Sequence, residues 1–208
     1  MKLIEVFQKL KENKLVIFYT KDASIYLKLT PSHTSQLLGR LTKAGLLISL
    51  GKGIWGIRDL IDPLALPSFL TAPFPCYISL QSALFYHGMI DQVPQTLYAV
   101  SVGRTKVYTT ELVEVSVHHI DPSFFFGFEP TNNPYIHMAT PEKALIDVCY
   151  FSTTKTRLFR TLPEIELPQH FSLKKARSYI KKIPFLNRRT HVENRFDAYY
   201  RNLTQKPT

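Results

Sequence analysis

Six side chains between Leu29 and Gly45 carry hydrogen-bonding groups or positive charges on what would be one side of a helix. They are Ser32, His33, Ser35, Gln36, Arg40 and Lys43. Hydroxyl, imidazole and amide groups can bond the edges of DNA bases, and cations can bond guanine or phosphate. Lys52, slightly further along the chain, could reach an adjacent phosphate. We therefore expect these seven residues to contact double-stranded DNA, with specificity from residues 32–36 and affinity mainly from the three cations.

The same segment carries the local signals of a helix. Thr30 can cap its start, Pro31 suits the first helical position, and Gly45 suits a left-handed residue just beyond its end. The residues predicted to face inward are Thr34, Leu37, Leu38 and Leu41. One face is thus reserved for packing, and the opposite face is left for a partner.

Flanking segments complete a recognisable order of elements. Residues 2–12 place apolar side chains at helical spacing, and residues 21–29 form a second helix, for which Thr20 is the expected cap. Two short β-type runs, LLISL and IWGI, surround the glycine-bounded Lys52. Three helices followed by a hairpin predict a winged helix-turn-helix domain over residues 1–58. A plain amphipathic helix with a solvated outer face, or a winged helix that binds protein, is the alternative.

Charge is distributed unevenly along the 208 residues, whose net charge is +10. Residues 1–60 hold 10 lysines and arginines against 4 acidic residues, residues 61–149 hold 3 against 8, and residues 150–208 hold 13 against 4. Two basic regions around an acidic centre favour contact with a polyanion over a general effect on solubility.

The remainder of the chain predicts a connector and a second domain. Residues 59–75 contain four prolines and read as a semi-rigid, apolar connector. Residues 76–208 combine helical and strand-like patterns, which predicts an α/β C-terminal domain with a small, mainly antiparallel sheet and basic C-terminal helices. The complete chain is therefore expected to be α+β in class.

The basic C-terminal helices offer a possible second surface for nucleic acid. Ser172 is the expected cap of the first of these helices. The cations assigned to this surface are Lys174, Lys175, Lys181, Lys182, Arg188 and Arg189.

Signals for catalysis are weak. His118 and His119 lie near Asp121, but neighbouring residues of a strand point to opposite faces, so we expect a surface histidine pair and no metal site. Glu142 and Asp147 lie five apart on one predicted helix, and capping and solvation explain them better than acid–base catalysis. No nucleophile elbow, phosphate-binding loop or dinucleotide fingerprint is present. We expect no enzyme activity, catalytic residue or cofactor.

Two motifs resemble the AbiEi family of antitoxins, which are transcriptional regulators of type IV toxin–antitoxin systems. The matching residues are Tyr77-Ile78-Ser79, Ser82-Ala83-Leu84, His87-Gly88, Val93-Pro94 and Pro141 to Asp147. Gly53 to Trp55 resembles the Gly-x-Tyr of the family's wing, with tryptophan as a departure. The resemblance covers about residues 1–150, and the basic tail lies outside it. Physically the motif residues look structural, with Ser79 capping a helix, and we do not expect His87 to be catalytic.

The resemblance implies a repressor that binds inverted repeats in its own promoter and carries antitoxin activity in its C-terminal domain. The implied functional partner is a nucleotidyltransferase-like toxin, without a stable complex. The residues leave two other functions open. One is a nuclease or RNA-modifying enzyme that holds nucleic acid with the basic helices, and the other is a protein-binding module that uses the acidic centre.

Compartment and redox state follow from simpler features. No apolar run approaches the ~20 residues of a membrane span, and the N-terminal residues include Glu5 and Glu12 without an apolar signal core. Cys76 and Cys149 lack metal-binding spacing, so we expect two buried or half-buried thiols. These features favour a cytoplasmic protein without membrane contact.

Overall fold

The computed structural model describes residues 2–152 and 164–204, which form an α+β structure with two sheets. Its first part contains three helices and a three-stranded sheet. In chain order these elements are α1 (Leu3–Glu12), β1 (Ile17–Tyr19), α2 (Thr20–Leu27), α3 (Pro31–Lys43), β2 (Leu47–Gly51) and β3 (Ile54–Ile57). The strands are all antiparallel, with β3 between β1 and β2.

The small sheet lies between two apolar cores because its side chains alternate between its faces. Phe18, Leu47 and Ile57 pack with the buried side chains of α1, α2 and α3. Ile17 and Ile48 belong instead to a larger core that continues through the rest of the chain. Both faces of this sheet are therefore covered by apolar side chains.

Residues 59–75 take part in the larger core. One short 3₁₀ turn, Arg58–Leu60, leads into this segment, and a second, Pro63–Ala65, is followed by α4 (Leu66–Thr71). Leu66 is buried in α4, and the Tyr19 hydroxyl donates a 2.9 Å hydrogen bond to the Phe69 carbonyl. The predicted connector is thus a helix-containing segment packed against the small sheet.

A six-stranded sheet forms the centre of the second part. It contains β4 (Cys76–Ile78), β5 (Thr96–Ser101), β6 (Lys106–Thr109), β7 (Glu114–His119), β8 (Phe128–Pro130) and β9 (His137–Ala139) in the order β6-β7-β5-β4-β9-β8. We expected a small, mainly antiparallel sheet. Three of the five strand pairings are antiparallel, but β5 pairs parallel with β7 and β4 with β9. β7 lies between β5 and the edge strand β6, antiparallel to β6 and parallel to β5.

In the part of the chain that the structure describes, four helices after β4 surround or flank this sheet. They are α5 (Leu80–Tyr86), α6 (Pro141–Phe151), α7 (Leu173–Lys181) and α8 (Leu186–Thr204). Every residue of α6 is buried, since α5, α7, α8 and β9 all pack against it. Both cysteines are buried and unpaired, and burial raises the pKa of Cys149 to about 12. Over the described ranges, no helix is both long and apolar enough to span a membrane.

Candidate nucleic-acid interface

The start and end of α3 are determined by the residues expected from the sequence. The backbone N–H of His33 donates to the Thr30 hydroxyl at 3.4 Å, and Pro31 is the first helical residue. Gly45 follows the helix with a φ of +75°, a conformation that favours glycine. The helix has 13 residues, so its axis is about 20 Å long.

The two sides of α3 differ as predicted. Thr34, Leu37, Leu38 and Leu41 are buried against α1, α2 and the sheet. All six predicted contact residues of this helix are exposed: Ser32, His33, Ser35, Gln36, Arg40 and Lys43. The helix thus presents hydroxyl, imidazole, amide and cationic groups to solvent along one side.

The hairpin β2–β3 places a further cation at its tip. Lys52 is exposed between Gly51 and Gly53, and Gly53 has a φ of +71°. The backbone N–H of Thr20 donates to the Gly53 carbonyl at 2.9 Å. This bond attaches the hairpin tip to the first turn of α2.

Trp55 adds a second attachment that sequence reasoning missed. Its indole Nε1 donates to the Thr20 hydroxyl at 2.8 Å. We expected Thr20 to cap α2, and this was wrong, because Thr20 is already the first residue of the helix. The backbone N–H of Tyr19 donates to the Asp22 carboxylate instead. Nothing local in the sequence pairs residue 20 with residue 55, since they meet only when β1 and β3 align.

The six cations assigned to a second surface have different environments. Lys174, Lys181 and Lys182 are exposed. Lys175 pairs with Glu142 at 3.1 Å. Arg188 donates to the Tyr150 hydroxyl at 2.7 Å, and Arg189 donates twice to the Ile183 carbonyl. Three of the six therefore hold the C-terminal helices in place as well as adding charge. The expected cap of α7 is confirmed, because the Ser172 hydroxyl accepts from the N–H of Lys175.

Residues of the two family-like motifs meet in the core through hydrogen bonds. Asp147, on α6, accepts from the Tyr77 hydroxyl at 2.9 Å and from the Ser79 hydroxyl at 2.8 Å. Ser79 occupies the N-cap position of α5, as expected, but its hydroxyl makes no capping bond and donates to Asp147 instead. These contacts join β4 to α6 across about seventy positions of sequence.

Lys143 completes this cluster of four residues, Tyr77, Ser79, Lys143 and Asp147, which we call the Asp147 cluster. The Lys143 ammonium lies 2.7 Å from the Asp147 carboxylate, and both side chains are fully buried. The Lys143 ammonium also donates to the Phe124 carbonyl and lies 3.6 Å from the centroid of the Phe124 ring. Burial lowers the pKa of Lys143, and the Asp147 carboxylate opposes this effect. Burial and the same carboxylate raise the pKa of Tyr77.

The buried position of these groups defines what they can do. A substrate cannot reach side chains that have no exposed surface, so the Asp147 cluster binds β4 and α6 together. We expected Asp147 and Glu142 to be capping or solvated, and the structure contradicts solvation for both, because both side chains are buried. Burial acts to raise the pKa of Glu142, but hydrogen bonds, first from the Ser172 N–H, keep it below its ordinary value. The four-residue spacing of Lys143 and Asp147 is the signal that could have revealed this pair.

The two adjacent histidines point to opposite faces of β7, as expected. The expectation of a surface pair was wrong for His118, which is buried and bonded to the Ser116 hydroxyl. Burial lowers the pKa of His118 to about 4. His119 is exposed, and its Nδ1 donates to the Gly103 carbonyl at 2.9 Å. In residues 2–152 and 164–204, no three histidine, cysteine or acidic side chains are grouped so that they could hold a metal ion.

Comparisons with known proteins do not place the chain in a family: no family model matches it, and no curated protein matches it.

Proposed function

We propose that residues 1–58 form a winged helix-turn-helix domain that binds double-stranded DNA through α3 and the β2–β3 hairpin. The observation that carries this proposal is the exposure of all seven predicted contact residues, while the opposite side of α3 is buried. A helix supported in this way can enter the major groove, with its N-terminal residues at the base edges. The loop between α2 and α3 spans only residues 28–30, which suits a helix-turn-helix.

The roles of individual residues follow from their chemistry. Gln36 can bond adenine through two hydrogen bonds, and Ser32, His33 and Ser35 can donate to or accept from base edges. Arg40 and Lys43 lie further along the same side and suit guanine or phosphate. Lys52 at the hairpin tip suits a neighbouring phosphate.

We further propose that the whole chain is a cytoplasmic, non-enzymatic transcriptional repressor and antitoxin that regulates its own toxin–antitoxin operon. The resemblance of the two motifs to the AbiEi family supports this role. The Asp147 cluster is consistent with it, because those motif residues stabilise the C-terminal part instead of forming an exposed reactive site. The expected targets are inverted repeats in the promoter and, functionally, a nucleotidyltransferase-like toxin without a stable complex.

DNA binding is tested by mobility shift with the DNA upstream of the chain's own reading frame. The triple variant Gln36→Ala, Arg40→Ala, Lys52→Ala should lose the shift, whereas Lys9→Ala, which removes an exposed cation of α1, should retain it. A shift of wild-type strength from the triple variant would overturn the assignment of the interface. Growth rescue upon co-expression with the neighbouring reading frame tests the antitoxin role separately.

A further inference from the structure

A cavity of about 390 Å³ lies between the end of α4 and the loop that joins β5 to β6. Its size falls within the range of ~300–1,000 Å³ typical of small-molecule sites. Leu70 and Ala72 form apolar parts of its lining, and Phe74 and Tyr108 add two aromatic rings. We call this cavity the Phe74 pocket.

The lining of this pocket includes two cationic side chains. Arg104 and Lys106 are both exposed and both line it. The acidic central segment, residues 61–149, has one further cation, Lys143, whose side chain is fully buried. The exposed positive charge of this segment is thus concentrated at one cavity. Among the described residues, neither Arg104 nor Lys106 pairs with a carboxylate, and none of the residues that line the pocket is acidic.

Hydrogen bonds on both sides of Arg104 hold the cation-bearing loop in place. His119 Nδ1 donates to the Gly103 carbonyl, and the His119 N–H donates to the Thr105 hydroxyl, both at 2.9 Å. The Gly103 N–H donates to the Ser101 hydroxyl at 3.0 Å. Arg104 is therefore presented from a fixed turn, which reduces the entropic cost of binding a ligand.

Phe74 supplies an aromatic surface beside these cations. Its side chain is 51 % exposed, and one part of it lies against Gly103, where an added Cβ would come within 3.0 Å of the ring. The Lys106 ammonium lies 4.5 Å from the centroid of Tyr108, so one face of that ring is already covered. Phe74 is consequently the ring that a ligand can stack on.

We propose that the Phe74 pocket binds an aromatic phosphate monoester of the nucleoside monophosphate class, with the base on Phe74 and the phosphate on Arg104 and Lys106. Two neighbouring cations suit a dianion better than a single carboxylate, and arginine can bond phosphate through two parallel hydrogen bonds. Stacking of a base on an aromatic side chain tolerates any base. The ligand class follows from these two contacts together.

Isothermal titration of the full chain with AMP tests the proposal directly, and the binding is expected to be one to one. Adenosine and inorganic phosphate should each bind more weakly than AMP, because each makes only one of the two contacts. Benzoate, a planar monoanion, should also bind more weakly than AMP. Equal or tighter binding of benzoate would overturn the assignment of a phosphate ligand.

Variants locate the binding. Arg104→Gln and Phe74→Leu should each weaken AMP binding by about tenfold or more, since each removes one contact, while thermal midpoints confirm folding. Lys9→Gln is the matched control, because it removes one exposed charge from α1 and should leave AMP affinity unchanged. His119→Ala should weaken binding less than Arg104→Gln, since His119 only positions the loop.

Two results would overturn the proposal. One is the lack of saturable binding of AMP, GMP, CMP or UMP by the wild-type chain at millimolar concentration. The other is AMP binding of equal strength in the wild type and in Arg104→Gln, which would place the nucleotide on another basic surface. Neither result depends on α3, so failure here leaves the proposed DNA interface intact.

Discussion

Trp55 and Thr20 are joined by a hydrogen bond of 2.8 Å between the indole Nε1 and the hydroxyl oxygen. With the bond from the Thr20 N–H to Gly53, it attaches the β2–β3 hairpin to the helix that precedes α3. The position of Lys52 relative to α3 therefore depends on Trp55 as well as on the glycines of the turn.

Replacing Trp55 by phenylalanine should reduce the free energy of unfolding by about 1 kcal/mol, the net value of a typical hydrogen bond. DNA affinity should also fall, because the hairpin loses one of its attachments to Thr20. Urea denaturation, monitored by circular dichroism, measures the change in stability. Fluorescence anisotropy with labelled DNA measures the change in affinity. Thr20→Ser retains the hydroxyl and serves as the control. Unchanged stability and affinity of Trp55→Phe would contradict a role for this bond.

The double variant Arg40→Ala, Lys52→Ala should weaken binding to specific and unrelated DNA alike. The slope of log K against log salt should become shallower by about 1 for each phosphate contact that is lost. Gln36→Ala should instead reduce the difference between specific and unrelated DNA. Anisotropy titrations at several salt concentrations distinguish these outcomes, and an unchanged slope in the double variant would exclude both cations from phosphate contact.

Breaking the buried ion pair should be costly. Lys143→Met leaves the Asp147 carboxylate buried without its cation, and we expect a loss of about 3–5 kcal/mol in the free energy of unfolding. Lys143→Met combined with Asp147→Asn should cost less than the sum of the single changes, because no buried charge remains. Urea denaturation of the two single variants and the double variant completes a double-mutant cycle. Additive losses of unfolding free energy would show that Lys143 and Asp147 are not coupled.

Protonation of His118 should make stability depend on pH. The pKa of this histidine is lowered by burial from 6.5 to about 4 in the folded chain, so the unfolded chain binds the proton more tightly between these values. The free energy of unfolding is therefore largest above pH 6.5 and should decrease by about 3 kcal/mol as the pH falls to about 4.

A matched pair of variants isolates this effect. His118→Gln should remove most of the pH dependence in that window, whereas His119→Gln, at the exposed neighbouring position, should retain it. Chemical denaturation at several pH values measures both. Identical pH profiles for the two variants would assign the dependence to groups other than His118.

Separating residues 1–58 from the remainder should expose one face of the small sheet. Ile17, Ile48, Leu50 and Ile54 would lose their contacts with α4 and the larger core. The fragment should therefore bind a hydrophobic dye and unfold without a sharp transition, in contrast to the full chain. A fragment with a cooperative transition at the full-length midpoint would contradict this prediction.

Local signals were sufficient to predict α3, because its cap, its proline, its glycine and its apolar stripe all lie within seventeen residues. The cap of α7 was predicted for the same reason. Both depend on interactions between near neighbours in sequence. The preference for a hydroxyl side chain at the start of a helix therefore applies without knowledge of the fold.

Long-range partners could not be predicted in this way. The hydroxyl of Ser79 has two uses, a helix cap or a bond to a distant carboxylate, and only the packing of β4 against α6 decides between them. Glu142 and Asp147 read as surface residues because carboxylates usually are, yet α6 is enclosed on all sides. Strand order has the same difficulty, since nothing local indicates that β7 lies between β5 and β6.

The small sheet has apolar side chains on both faces, so it packs α3 and its neighbouring helices against the remainder of the chain. The orientation of α3 is thus set by the packing of the entire chain, and not by a separate domain on a flexible linker. If two chains occupy the halves of a palindrome, the distance between their α3 helices is set by how complete molecules meet. The DNA, and not the linker, would then have to bend to absorb any mismatch in half-site spacing.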